Sequence, residues 1–310
     1  MLKSQNNVSC KRTFRKLEDL NLIDNFLFQQ VLSQEDDGEE FARILLSTIL
    51  GRRIRKVKIV SQKNILGIDT DKHGIRLDAY IEDVSDELNP DLADAEIIPD
   101  IYDIEPNNTY EKATLPKRIR YYHGLIDTQL LSSGINYANL PNMIVIVILP
   151  YDPFGKDRMV YTICNQCKED PSIPYDDGAR KIFLYTKGSE GNPSQSLKDM
   201  LKYIEKSTDD NVTNQDIASI QQLVNKVKQK REVGINYMKS WEMEEIARQN
   251  GYNDGFNEGF NDGFNDGLEL INQLNLLLAD ANRTEDIIKA ARDQTYREQL
   301  LKEFKLQEHL

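Results

Sequence analysis

The chain has 310 residues, 39% hydrophobic and 29% charged, with a formal net charge of −12. That length is enough for one large core or two modest ones, and 14 Tyr and 10 Phe exclude wholesale disorder. The charge speaks against broad non-specific nucleic-acid binding but leaves room for a metal-dependent nuclease, whose site is itself acidic.

In chain order, residues 14–32 space Leu17, Leu20, Ile23, Phe26, Phe28 and Val31 in a partly helical pattern, with Asp24 placed to cap an internal start. "DDGEEFARILLSTIL", 36–50, reads as a helix that Gly51 stops. Strands are expected at Val57 to Val60, Ile65 to Ile68 and Ile75 to Ile81, the last two joined by the turn "DTDKHG". Alternation along 75–81 puts Ile75, Leu77, Ala79 and Ile81 on one face and Arg76, Asp78 and Tyr80 on the other. After an acidic loop comes the short strand "IYDIE", 101–105, and then a helix over 110–132 with Pro116 near its start. "MIVIVILPY", from Met143, is continuously apolar and reads as a buried strand; it is also the longest apolar run, too short to span a bilayer. Strands at 158–164 and 180–187 complete an α/β or α+β domain.

"GSEGNPSQS", 188–196, reads as a linker, so the expected domains are 1–190 and an all-helical region over 191–310. Within the latter, "GYNDGFNEGFNDGFNDGLEL", 251–270, is a tetrad repeat with Gly at 251, 255, 259, 263 and 267, each followed by Tyr252, Phe256, Phe260, Phe264 or Leu268. On a helix a period of four sets the glycines on one slowly winding stripe with the aromatics beside it. That pattern suits helix–helix self-association, and hence a homo-oligomer; a flexible spacer is the other reading. Acids four apart do not match a calcium loop.

The N-terminus, "MLKSQNNVSCKRTFRK", lacks the apolar core of a secretory signal. Three cysteines, with Cys164 and Cys167 in a lone C-x-x-C, suit a reducing, cytoplasmic setting. Charge is uneven: residues 84–111 carry nine acids and no Lys or Arg, whereas 51–63 carry six bases and no acid. A basic segment beside an acidic site suits a phosphate substrate, and a plain solvated surface explains the same charges.

Asp78 stands in a predicted strand, where Asp is disfavoured, and Asp103 and Glu105 share a face of the next one. Converging carboxylates with oxygen-only donors suit Mg²⁺ or Mn²⁺. "GIRLDAYIED", "YDIEPNN" and "LPKRIRYYHGLIDTQLL" together resemble the PD-(D/E)XK nuclease-family transposases, the recombination-promoting nucleases, over roughly residues 15–185. The resemblance implies a restriction-endonuclease-like fold, a mixed sheet flanked by helices. It also implies metal-dependent DNA cleavage associated with recombination or mobile elements. It assigns Asp78 and Glu105 as metal ligands, with Asp103 the alternative register; Glu39 or Glu40 of the early helix could add a ligand, and an ordinary solvated helix start is the other reading of those two. Asn107 falls where relatives have Gln and the wider superfamily Lys, the residue that orients water. Arg118 and Arg120 are expected either at a DNA phosphate or in salt bridges to the acidic loop. Pro106 removes a ladder donor, which implies an edge strand, a bulge or a strand end at Glu105. The alternative to an active enzyme is a degenerate nuclease fold that binds DNA or protein, or serves in assembly.

Overall fold

The computed structural model describes residues 14–61, 64–65, 75–77, 79–85, 98–131 and 136–306. It is mixed α/β and divides into two units, residues 1–237 and 238–310.

In the first unit, α1 (Asn25–Leu32) and α2 (Glu35–Leu50) lead into the sheet. Gly51 ends α2 with φ of 64°, a left-handed stop that glycine adopts without strain. Asp24 precedes α1 as expected, but its carboxylate accepts from the Asn21 N–H and from Arg15 rather than from the helix. Then come β1 (Val57–Ser61), β2 (Asn64–Ile65), β3 (Ile75–Arg76), β4 (Ala79–Asp83), β5 (Asp100–Pro106), α3 (Leu115–Leu130), β6 (Met143–Leu149), β7 (Val160–Ile163), β8 (Ala179–Tyr185), α4 (Gln195–Glu205) and α5 (Gln215–Gln229). The six-stranded sheet has the order β1-β4-β5-β6-β8-β7, and β2 and β3 form a separate two-stranded sheet. β5, β6 and β8 are parallel; the other neighbours are antiparallel.

All seven residues of β6 are buried. Its even-numbered isoleucines join one core, with α1, α2, α4 and α5, and its odd-numbered residues join a second core with α3. A strand covered on both faces has no polar side to show, which is why "MIVIVIL" has no alternation. Each such side chain contributes about 2 kcal/mol of burial.

Two expectations change. Residues 75–81 are not one strand: β3 pairs with β2, and β4 starts anew at Ala79 between β1 and β5. The face assignment fails with it, since Leu77 packs with Tyr80 in the α3-side core while Ala79 and Ile81 enter the opposite one. The domain boundary also moves from 190 to 237. Segment 188–196 does connect, but Leu197, Tyr203, Ile217 and Val224 of α4 and α5 are buried in the first unit's core.

The long helix α6 (Arg231–Asp280) runs unbroken through all five repeat glycines, so the repeat is neither a flexible spacer nor a calcium loop. In the second unit, α7 (Thr284–Arg292) and α8 (Gln294–Glu303) enclose a small core of Leu274, Leu278, Ala290, Leu300 and Leu301. No helix among the described residues is long and apolar enough to cross a membrane.

Candidate active site

β5 is central in the sheet, so every side chain on it is committed to one covered face or the other. Tyr102 and Ile104 enter the core under α1 and α2, and Ile101 enters the core under α3. Alternation therefore directs Asp103 and Glu105 to the α3 side, opposite Val145 and Val147 of β6. Both acids are buried, Asp103 completely. Tyr80 of β4 lies directly across from Asp103. Burial first, then the charge of Glu82, pushes the Tyr80 hydroxyl up to about 12, so it stays protonated at neutral pH.

Pro106 sits at neither an edge nor a bulge. It is the last residue of β5 and keeps register with Ile148. Ile101 and Asn107 donate their N–H groups toward β6, at 2.8 Å to Asn142 and 2.9 Å to Ile148. By alternation the donor that Pro106 lacks would face β4, whose pairing among the described residues ends at Asp103. The proline thus lies past the described β4 pairing, and the strand runs one residue beyond the end at Glu105 that the sequence suggested.

Asn107 follows with 8% of its surface exposed. Its Oδ1 accepts from the Thr109 N–H at 2.8 Å, an Asx turn that fixes the amide plane. The Nδ2 group is buried and donates to nothing among the described residues. An idle buried donor costs about 1–3 kcal/mol, a cost commonly found where a group awaits a ligand or water. Asn108 is tethered in turn, donating to the Asp24 carboxylate at 3.1 Å.

The remaining candidates spread out. Asp78 lies outside the described residues; Leu77 and Ala79 on either side of it are fully buried. Glu40 is not brought to the β5 acids. It belongs to α2, which packs on the other face of the sheet, and forms a two-pronged ion pair with Arg43 at 2.6 Å. That bond, against a smaller opposing effect of burial, lowers the Glu40 carboxyl below its ordinary range. Arg118 and Arg120 stand two apart on α3 and so point to different sides. Arg118 is half-buried and bridges to Glu111 at 2.5 Å, a salt bridge to the segment after β5 and not to the acidic loop before it. Arg120 is exposed. Part of the basic segment is also spent internally: Arg52 bonds Asp83 at 3.2 Å, Asp100 at 3.0 Å and the Tyr102 hydroxyl at 2.6 Å.

Asp103 and Glu105 are oxygen donors of the kind that Mg²⁺ and Mn²⁺ take, and Mg²⁺ is commonly held by one or two carboxylates with water completing its shell. Two buried acids on one face of one strand fit such an ion. Among the described residues no group of three or more His, Cys, Asp and Glu side chains converges to hold a metal. Cys164 and Cys167 are free thiols.

Sequence reading overlooked Tyr110 and Tyr151, whose rings meet at 4.9 Å. Their signal was positional: each follows the end of a strand in the parallel part of the sheet, where ligands of α/β sheets collect.

No protein-family model, no curated protein and no solved structure matches the chain.

Proposed function

We propose that the first unit is a divalent-metal-dependent DNA endonuclease with a restriction-endonuclease-like core, in which Glu105 is the central ligand. The observation that carries this reading is a pair of buried acids on the α3 face of β5, followed just past its end by an Asn whose buried donor has no partner among the described residues. Glu105 and Asp78 would hold Mg²⁺ or Mn²⁺, with Asp103 beside them. The chemistry such an ion supplies is charge neutralisation at a phosphoryl oxygen and a more acidic bound water. Asn107 would direct its Nδ2–H to that water or to a phosphate oxygen. It contributes orientation only, since it carries no charge, and the cationic work that a Lys would do falls to other groups. Recombination or element mobility is the setting that the sequence resemblance suggests.

A plasmid-nicking assay with Mg²⁺ or Mn²⁺ tests the reading, with wild type run beside Asp78→Ala and Glu105→Gln. Equal nicking by all three sinks the proposed site.

A second role, self-assembly, is favoured by α6. Tyr252, Phe256, Phe260, Phe264 and Leu268 are 45–64% exposed. At 100° per residue they fall within one half of the helix, a half that exposed Ile246 and Ile271 continue. A second copy of this chain is the occupant proposed for that stripe. Five such side chains would bury roughly 500–600 Å² per copy, about the 1,000 Å² total that a specific interface needs. Light scattering on the full chain and on one ending near residue 237 decides it: the same oligomeric state in both removes the role.

A further inference from the structure

β5 and β6 run parallel, so their C-terminal ends open together, at Asn107 on one and just before Tyr151 on the other. Three residues of chain span at most about 10 Å, which keeps Tyr110 close to Asn107. Tyr110 is a large ring with 70% of its surface exposed. It is nonetheless held: it rests tilted against Tyr151, whose ring packs on the α3-side core and whose hydroxyl accepts the Glu111 N–H at 3.3 Å. An aromatic ring braced by a neighbouring ring and largely open to solvent can serve as a stacking platform.

The segment that follows Tyr110 in the chain is cationic. Residues 112–123 carry Lys112, Lys117, Arg118 and Arg120 and no acid, in a chain whose net charge is −12. α3 buries Leu115, Ile119, His123 and Ile126 against the sheet, which leaves Lys117 and Arg120, one turn apart, on its outer side. Lys112 is exposed in the approach to the helix. Arg118 is already paired with Glu111.

We infer that this surface takes an unpaired stretch of a DNA strand, one base stacking on Tyr110 and neighbouring phosphates facing Lys112, Lys117 and Arg120. The inference rests on the nuclease reading for its choice of DNA. A base inside a duplex is stacked on both sides and offers no face to the ring, so the platform selects frayed, gapped or single-stranded sites. Every base has a π-face, so the selection is for strand state and not for sequence.

The test is fluorescence anisotropy on the full chain in EDTA, where no cleavage occurs, with a labelled oligo-dT strand and a blunt duplex. Wild type binds the single strand more tightly than the duplex. Tyr110→Ala weakens strand binding about tenfold and leaves duplex binding unchanged, while Tyr110→Phe stays within about twofold of wild type. Lys117→Ala with Arg120→Ala flattens the salt dependence by about 0.7 in log–log slope per lost phosphate contact. Wild-type strand binding by Tyr110→Ala, at an unchanged melting temperature, overturns the inference. So does a wild type that prefers duplex. Equal weakening by the Ala and Phe variants overturns it too, by pointing to the hydroxyl instead of the ring. Binding is read without metal, so a protein that binds strands through Tyr110 but never nicks DNA keeps this inference and loses the nuclease reading. One that nicks with no dependence on Tyr110 does the reverse.

Discussion

Asn107 donates its backbone N–H to the Ile148 carbonyl at 2.9 Å, one residue past a proline. That bond extends the β5–β6 ladder beyond Pro106 and fixes which way the Asn107 amide turns. It also fixes Glu105 two residues back, on the same face. If Glu105 is a ligand, Glu105→Gln lowers metal-dependent nicking by at least about 100-fold, more than the loss of a partner supporting a ligand would cost. Melting in the absence of metal checks that the variant is folded.

Asn107 has two separable jobs. Asn107→Ala removes the acceptor for the Thr109 N–H, a loss of about 1 kcal/mol, or roughly 2–4 °C in melting temperature. Asn107→Asp keeps that acceptor and removes the Nδ2 donor. Nicking is expected to fall in both variants, and melting to fall less in Asn107→Asp. Wild-type nicking by Asn107→Asp would remove the donor from the chemistry.

How far the site could be read from the sequence differs by residue. Asp103 and Glu105 were legible as a same-face pair because period two is local. The sheet face they take was not, since it depends on which helices cover β5. For the same reason Glu40 looked available: nothing near residue 40 tells that α2 covers the opposite face. β6 was plain from seven apolar residues in a row. The break between β3 and β4 was hidden, because 75–81 alternates well enough to pass for one strand. α4 and α5 looked like an appendage, yet their apolar stripes complete the larger core.

His123 reports on pH. It is 6% exposed, on α3, with the charges of Lys181 and Asp177 and the backbone of Arg180 acting on it from β8 and the loop before it. Burial first, then Lys181, lowers its pKa from 6.5 to about 4. The unfolded chain therefore binds a proton between those values that the folded chain refuses. Stability from this residue is complete above about pH 6.5 and is lost as pH falls toward 4, on the order of 2 kcal/mol. Denaturant melts at pH 7 and pH 4.5 check it: His123→Leu should lose less stability between them than wild type, and an equal loss would be contrary.

Two helical glycines predict opposite signs. A Cβ at Gly38 of α2 would stand 2.3 Å from the Leu32 carbonyl oxygen, so Gly38→Ala forces α1 and α2 apart and destabilises by about 1–3 kcal/mol. A Cβ at Gly124 of α3 meets nothing within 4 Å, so Gly124→Ala stabilises by about 1 kcal/mol. Urea melts of the two variants read both.

The repeat glycines give a sharper contrast. A Cβ at Gly259 or Gly263 also meets nothing within 4 Å. In an isolated chain Ala at both positions strengthens α6 by about 1 kcal/mol each. If a second copy packs along that stripe, the same methyl groups hold the two backbones apart. The double variant is expected to gain helicity by circular dichroism and to lose self-association in sedimentation. A gain of helicity with association intact would move the contact off the glycine stripe.

The proline at the end of β5 has one more consequence. Position along a strand decides side by parity, so adding or removing one residue between Asp100 and Asn107 would exchange the two covered faces. The acids would enter the core now filled by Tyr102 and Ile104, and those two would turn toward α3. This segment can therefore vary in spelling but not in number: its chemistry is kept by counting.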